Sequence, residues 1–126
     1  EASQIKTYVQ TEKLSTTITR TGLHYQIYKD VDGQSVKNNE VAVVKYTVRL
    51  LDGTMCYSTK QDLESFIVGK DYVESGLHEG IKLLSAGDKA ILILPSHLAH
   101  GLAGDFKKIP YRSSIVYDIE LVEIKN

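Results

Sequence analysis

The side chains that could do chemistry in this 126-residue chain are a scattered set. His97 and His100 lie three apart, with His78 elsewhere, and three histidines could make a metal site. Their placing near turns, with no fixed carboxylate nearby, argues against one, and no metal or other cofactor is expected. Cys56 is the only cysteine. No partner is positioned by sequence to make its thiol a nucleophile, and a lone cysteine in a strand is usually a small hydrophobe. The carboxylates Glu74, Glu79 and Asp88 are dispersed over helix and turn; Glu79 reads as solvated surface rather than half of an acid–base pair.

The elements that must position them can be read from periodicity. Ile5, Tyr8 and Val9 fall at helical spacing and predict a short amphipathic helix from Gln4 to Leu14. The β-branched run Ser15–Thr19 favours extended structure. Leu23, Tyr25 and Ile27 alternate with polar neighbours as a half-buried strand. Asp32-Gly33 is a turn and Gln34–Glu40 a polar loop. Val41–Leu51 is a strand, closed by Asp52-Gly53, with Met55–Thr59 as hairpin partner. Ser65–Val68 is a short strand. Leu77, Ile81 and Leu84 mark one face of an internal helix over Gly76–Leu84, which Gly87 is expected to end. Asp88–Leu94 and Ser114–Ile124 are further strands. Strands joined by antiparallel-type turns around one internal helix predict an α+β fold, a curved antiparallel sheet wrapped around that central helix.

The bulk numbers permit one such domain. Charged residues make up 25% and the net charge is -1, with no basic block to attract phosphates, so nucleic acid is not an expected partner. No apolar run is long enough to span a bilayer. The chain opens on Glu1-Ala2-Ser3 and shows no signal peptide, so any targeting segment is expected upstream.

Six motifs occur in a specific order: Val44-Lys45-Tyr46-Thr47, Leu51-Asp52-Gly53-Thr54, Phe66-Ile67-Val68-Gly69, Gly76-Leu77-His78-Glu79-Gly80, Ser85-Ala86-Gly87-Asp88-Lys89, and Leu94-Pro95-Ser96-His97-Leu98-Ala99-His100-Gly101 with its continuation through Ile109-Pro110 and Ile115–Leu121. In this order, from about Gly22 to the C-terminus, the chain resembles the FK506-binding-protein family of peptidyl-prolyl cis-trans isomerases. The resemblance implies the same fold, here a domain over 21–126 preceded by a helical and extended segment over 1–20. The leading helix before Thr21-Gly22-Leu23 is similar to the N-terminal extension of envelope-associated members from Bacteroidetes-type bacteria, some of them lipoproteins. That likeness implies a periplasmic or envelope location and an upstream lipid anchor. Unfolded or proline-containing polypeptides are the implied partners, and a monomer is expected.

An X-Pro bond interconverts over tens to hundreds of seconds because its amide must lose resonance on the way. No nucleophile is required. A catalyst holds the proline, excludes water and binds the twisted amide better than the planar one. By resemblance the pocket is lined by Tyr46, Cys56, Tyr57, Phe66, Val73, Glu74, Leu77, His100, Ile109 and Tyr117. Plain core packing is the competing explanation for each; the ordered motifs favour the pocket for Tyr46, Phe66 and Tyr117.

Several positions depart from the family pattern. Cys56-Tyr57 stands where Phe-Asp is usual, and Leu77 where many members have a Trp floor. Glu74 replaces an Ile that offers its backbone N–H, which places a carboxylate at the rim. His100 replaces a Tyr whose hydroxyl donates to a substrate carbonyl. Tyr57 and His100 are therefore the residues on which catalysis should turn, as replacement donors. Phe106, in the loop with Asp105, Lys107 and Lys108, is either an exposed client contact or tucked under the loop, and tucking is expected. Two functions follow: an isomerase with a substituted site, either compensated by Tyr57 and His100 or weakened, or a non-catalytic peptide-binding or chaperone module on the same fold.

Overall fold

The computed structural model describes residues 1–101 and 104–126. Two helices and seven strands run in the order α1 (Ala2–Thr11), β1 (Thr17–Ile18), β2 (His24–Lys29), β3 (Val41–Leu50), β4 (Met55–Ser58), β5 (Glu64–Ile67), α2 (Ser75–Ile81), β6 (Lys89–Leu94) and β7 (Ile115–Lys125), with a 3-10 turn at Ser96–Leu98. The strands form one antiparallel sheet in the order β1-β2-β6-β7-β3-β4. Strand β3 is long enough to take two partners on its outer edge. Its first half pairs with β5, Ala42 opposite Phe66, and its second half with β4, Val48 opposite Tyr57. The gap between them falls at Tyr46. Thr59 fills it: its Oγ1 accepts the Tyr46 N–H at 3.0 Å and its N–H donates to the Tyr46 carbonyl at 3.0 Å. The backbone of a site residue is thus satisfied where the ladder splits.

Period-two alternation sorts the sheet into two faces. Ala42, Val44 and Val48 of β3, Ala90, Leu92 and Leu94 of β6, and Ile115, Tyr117, Ile119 and Leu121 of β7 are buried in the main core. Helix α2 lies on this face through Leu77 and Ile81. Its two glycines let it approach: a Cβ at Gly76 would meet the Leu94 side chain at 2.6 Å, and one at Gly80 would meet Leu92 at 2.7 Å. Each large aliphatic side chain buried here stabilises the fold by about 1.5–3 kcal/mol.

The opposite face is also covered. Ile5 of α1 packs with Ile93 and Val116 in a second buried cluster, flanked by Tyr8, Val9, Leu14, Leu51 and Ile91. The Glu1 carboxylate holds the helix start to the sheet. It accepts from the Ser96 N–H, from Ser96 Oγ at 2.7 Å and from Ser114 Oγ at 2.8 Å. Burial works to raise its pKa, but these hydrogen bonds outweigh it and lower the group below its ordinary value.

The α+β class, the strands and the central helix are as the sequence predicts. The bounds of both helices differ. Helix α1 begins at Ala2 and stops at Thr11, because Lys13 turns left-handed (φ +56) and returns Leu14 to the second cluster. Helix α2 stops at Ile81, not at Gly87. Leu83 and Leu84 instead donate to Gly80 and Ile81 in tight three-residue turns. Gly87 (φ +96) shapes the bend into β6, and its N–H meets the Leu121 carbonyl at 2.7 Å. No helix among the described residues is long and apolar enough to cross a membrane.

Candidate functional site

A cavity of about 640 Å³ opens between the main sheet face, the start of α2 and the loop after β6. Strand β3 contributes Tyr46 and Val48, β7 contributes Tyr117, β5 contributes Phe66, and α2 supplies Leu77 as a buried floor. Val73 and Glu74 enter from the segment before α2, Tyr57 from β4, and His100 and Asp105 from the loop. Eight of the ten residues read from sequence therefore line one space. Tyr46 and Tyr117 meet edge-to-face, centroids 5.2 Å apart at 64°. Two other clefts of about 650 and 730 Å³ lie along α1, away from this set.

Cys56 and Ile109 are not among the lining residues. Both are buried in the core. The Cys56 Sγ lies 3.8 Å from the Lys108 carbonyl and 3.9 Å from that of Thr54. Burial first, then the negative charge of Asp105, pushes its pKa up, so the thiol stays protonated and is no nucleophile. The pair supports the loop from within.

Three tyrosine hydroxyls of the cavity each donate to a carboxylate. Tyr46 donates to Glu64 Oε2 at 2.6 Å, Tyr117 to Glu74 Oε1 at 2.7 Å, and Tyr57 to Asp105 Oδ2. All three phenols are raised above their ordinary value of 10.0. For Tyr46 and Tyr117 the main cause is burial, with Glu64 or Glu74 adding to it; for Tyr57 it is the hydrogen bond to Asp105. They are neutral donors at physiological pH, already engaged within the protein. His100 adds a second contact to Glu74, Nε2 lying 3.3 Å from the same Oε1. The Glu74 carboxylate is thus turned inward between Tyr117 and His100, its side chain only 12% exposed, rather than standing free at the rim. Among the described residues its backbone N–H meets no acceptor.

Asp105 organises the loop, a role its position among polar loop residues does not by itself predict. Its Oδ1 accepts the N–H groups of Lys107, Lys108 and Ile109 at 3.0, 3.0 and 2.8 Å, while Oδ2 takes the Tyr57 hydroxyl. Burial works against the charge, but the Tyr57 hydroxyl and the three backbone donors overcome it and hold the carboxyl at about 2. Aspartate ahead of polar loop residues is the available signal, because its side chain readily takes N–H groups two or three positions on. Lys108 Nζ lies 5.2 Å from the centre of the Tyr57 ring.

His78 has a structural role. Its Nδ1 accepts the Gly69 N–H at 2.9 Å, and its Nε2–H donates to the Asp71 carbonyl at 2.8 Å, while its ring meets Phe66 edge-to-face at 5.6 Å. It ties α2 to the segment carrying Val73 and Glu74. His97 Nε2 pairs with the Thr21 carbonyl at 2.8 Å. The three histidines weighed as metal ligands therefore take three separate positions, and no group of three metal-ligating side chains forms among the described residues. Phe106 does not tuck under its loop. It is 89% exposed with φ +60, because the turn wound around the Asp105 carboxylate directs the ring outward.

Fold and cavity together define an α+β binding domain whose site is aromatic and whose polar groups are paired donors and carboxylates. Residues 32–122 match the family model for FKBP-type peptidyl-prolyl cis-trans isomerases, and the chain belongs to that family. It is 35% identical over 105 residues to the FKBP-type isomerase FkpA of Escherichia coli, covering 83% of this chain and 38% of that protein. A probable FkpA of Neisseria meningitidis is 34% identical over 106 residues, covering 84% of this chain and 39% of the relative. The chain thus spans about two-fifths of the length of these relatives. The crystal structure of E. coli FkpA superposes with a TM-score of 0.86 at 31% identity, covering 98% of this chain and 58% of that one. The N-terminal domain of FKBP42 from Arabidopsis thaliana shares the fold, with a TM-score of 0.82 at 19% identity, over 89% of this chain and 93% of that one.

Proposed function

We propose that this domain binds X-Pro segments of unfolded or folding polypeptides in the cavity and accelerates their cis–trans isomerisation with a weakened site. The observation that supports it is the convergence of Tyr46, Phe66, Tyr117 and the Leu77 floor on one space. Val73 closes the same pocket. An apolar, aromatic cavity disfavours the strongly dipolar planar amide relative to the twisted one, so binding energy is spent where the barrier lies. The barrier is about 18–20 kcal/mol, and each 1.4 kcal/mol removed is tenfold in rate. The Glu74 N–H, which meets no acceptor among the described residues, is the backbone donor for a client carbonyl. Tyr57 and His100 act as the donors nearest the rotating bond, and both already face an acceptor, Asp105 and Glu74. A donor must leave that partner to serve the transition state, which is the physical reason for slow turnover.

The competing reading, a non-catalytic holding module, rests on that same engagement of both donors. An exchange assay on a short X-Pro peptide separates the two. Acceleration that is measurable but below that of E. coli FkpA is expected. A rate equal to FkpA removes the weakened site, and binding without acceleration establishes the holding module. FK506-type macrocycles should bind weakly, since Tyr57, Glu74 and Leu77 alter the surface they would contact; sub-micromolar affinity would contradict this.

The same reading places the domain over 21–126, with 1–20 as a packed N-terminal segment, in a monomeric, envelope-associated protein of a Bacteroidetes-type bacterium, anchored by lipid. The support is the leading helix ahead of Thr21-Gly22-Leu23. Cell fractionation and sedimentation test location and monomer: a cytoplasmic protein, or a dimer at micromolar concentration, contradicts it.

A further inference from the structure

The geometry points to a second binding surface, an aromatic rim made by Phe106 and Tyr72 that grips the apolar side chains flanking the proline of an unfolded polypeptide. This rests on the isomerase reading and extends it from the proline to its neighbours. Phe106 is 89% exposed and Tyr72 is 106% exposed, the two most solvent-exposed large apolar side chains among the described residues. Each follows an aspartate that pins its own loop. Asp71 Oδ2 accepts the Ile67 N–H at 2.7 Å, and the Asp71 carbonyl takes the Val73 N–H at 2.9 Å and His78 Nε2 at 2.8 Å. Asp105 takes three loop N–H groups, the Tyr57 hydroxyl at its other oxygen, and its own N–H donates to the Ile109 carbonyl at 3.0 Å. The backbones beneath both rings are therefore fixed before any client arrives, and ordering them costs little on binding.

Phe106 keeps its position at a cost, since φ +60 is disfavoured for a bulky side chain. A conformation maintained at a cost, with the ring in water and touching no core, has its use outside the domain. Continuity with the cavity names the occupant. Tyr72 and Asp105 both line the cavity, so a chain that leaves it on either of these sides passes Tyr72 or the ring that follows Asp105. A space of about 640 Å³ holds the proline and its immediate neighbour, while residues beyond stand over the rim. The partner is an extended segment with aromatic or aliphatic side chains within a few positions of its proline.

The test compares a short X-Pro tetrapeptide, which reports on the cavity alone, with a reduced and carboxymethylated protein that cannot fold. Phe106→Ser should leave the tetrapeptide rate within twofold, while affinity for the unfolded protein drops fivefold or more. Tyr72→Ser should weaken the unfolded protein by a larger factor than the tetrapeptide. Unchanged affinity for the unfolded protein in both variants overturns the rim. So does self-association of the wild type that Phe106→Ser abolishes, because the rim would then serve a second copy of the chain. If the wild type fails to accelerate the tetrapeptide while Phe106→Ser still weakens the unfolded protein, the isomerase reading falls and the rim stands.

Discussion

Glu74 and His100 meet inside the cavity, Nε2 to Oε1 at 3.3 Å, and Tyr117 donates to that same oxygen at 2.7 Å. Burial raises the Tyr117 pKa first, and the Glu74 charge raises it further. In Glu74→Gln the charge is gone and the burial remains. The phenol should then ionise at lower pH than in the wild type, though still above 10.0, as read by ultraviolet titration. The sign for stability follows. An unfolded chain releases this proton near the ordinary value, so stability is complete below pH 10 and falls as pH rises above it. Glu74→Gln should lessen that alkaline loss.

Asp105 reports the opposite sign. Its folded pKa lies at about 2, below the ordinary 3.8. Its contribution is present above pH 3.8 and is lost as pH falls from there through about 2. Tyr57→Phe removes one of its donors and should raise the carboxyl pKa, as read by carbon NMR. Amide exchange at Lys107 and Lys108 should quicken together with that shift. An unmoved pKa would mean the backbone donors alone hold the charge.

The Tyr57–Asp105 pair also limits any attempt to restore the family pattern. Tyr57→Asp with His100→Tyr brings a second carboxylate toward Asp105, where like charges repel. Turnover on an X-Pro peptide should therefore rise less in that double variant than in the triple variant that adds Asp105→Asn. Equal rates would show that the two carboxylates do not interact.

Leu77→Ala enlarges the floor of the cavity from beneath. Removing a buried Leu side chain should cost about 2–4 kcal/mol in urea unfolding, toward the lower end because the site already opens to water. The tetrapeptide KM should rise with it. A KM that does not move would place the proline ring away from Leu77.

Ile5→Ala tests the other face. Ile5 is 2% exposed against Ile93 and Val116. About 2–4 kcal/mol of stability should be lost, with kcat/KM on a tetrapeptide unchanged, because none of the cavity residues belongs to that cluster.

How far this site could be read in advance divides along physical lines. Tyr46, Phe66 and Tyr117 are legible because β alternation puts them on the core side and their order among the motifs is specific. Cys56 belongs to the same core as Tyr57 and reaches the same loop, but its short side chain ends buried beneath the Lys108 carbonyl and does not reach the cavity. The pairs Tyr57–Asp105 and Tyr46–Glu64 are not legible because their members lie 48 and 18 residues apart, and no local pattern marks such a bond. The stripe predicts α2 as far as Leu84 because Leu84 continues its apolar face, while the backbone tightens into turns after Ile81.

The two-sided burial of β6 sets an order of events during synthesis. Ile91-Leu92-Ile93-Leu94 is the kind of short, uncharged, β-prone run that seeds aggregation when left bare. The residues of α1 leave the ribosome some eighty positions before that run does. The cover for the outward-facing Ile91 and Ile93 is therefore waiting when the strand appears, and a nascent chain of this protein carries its own guard against sticking to its neighbours.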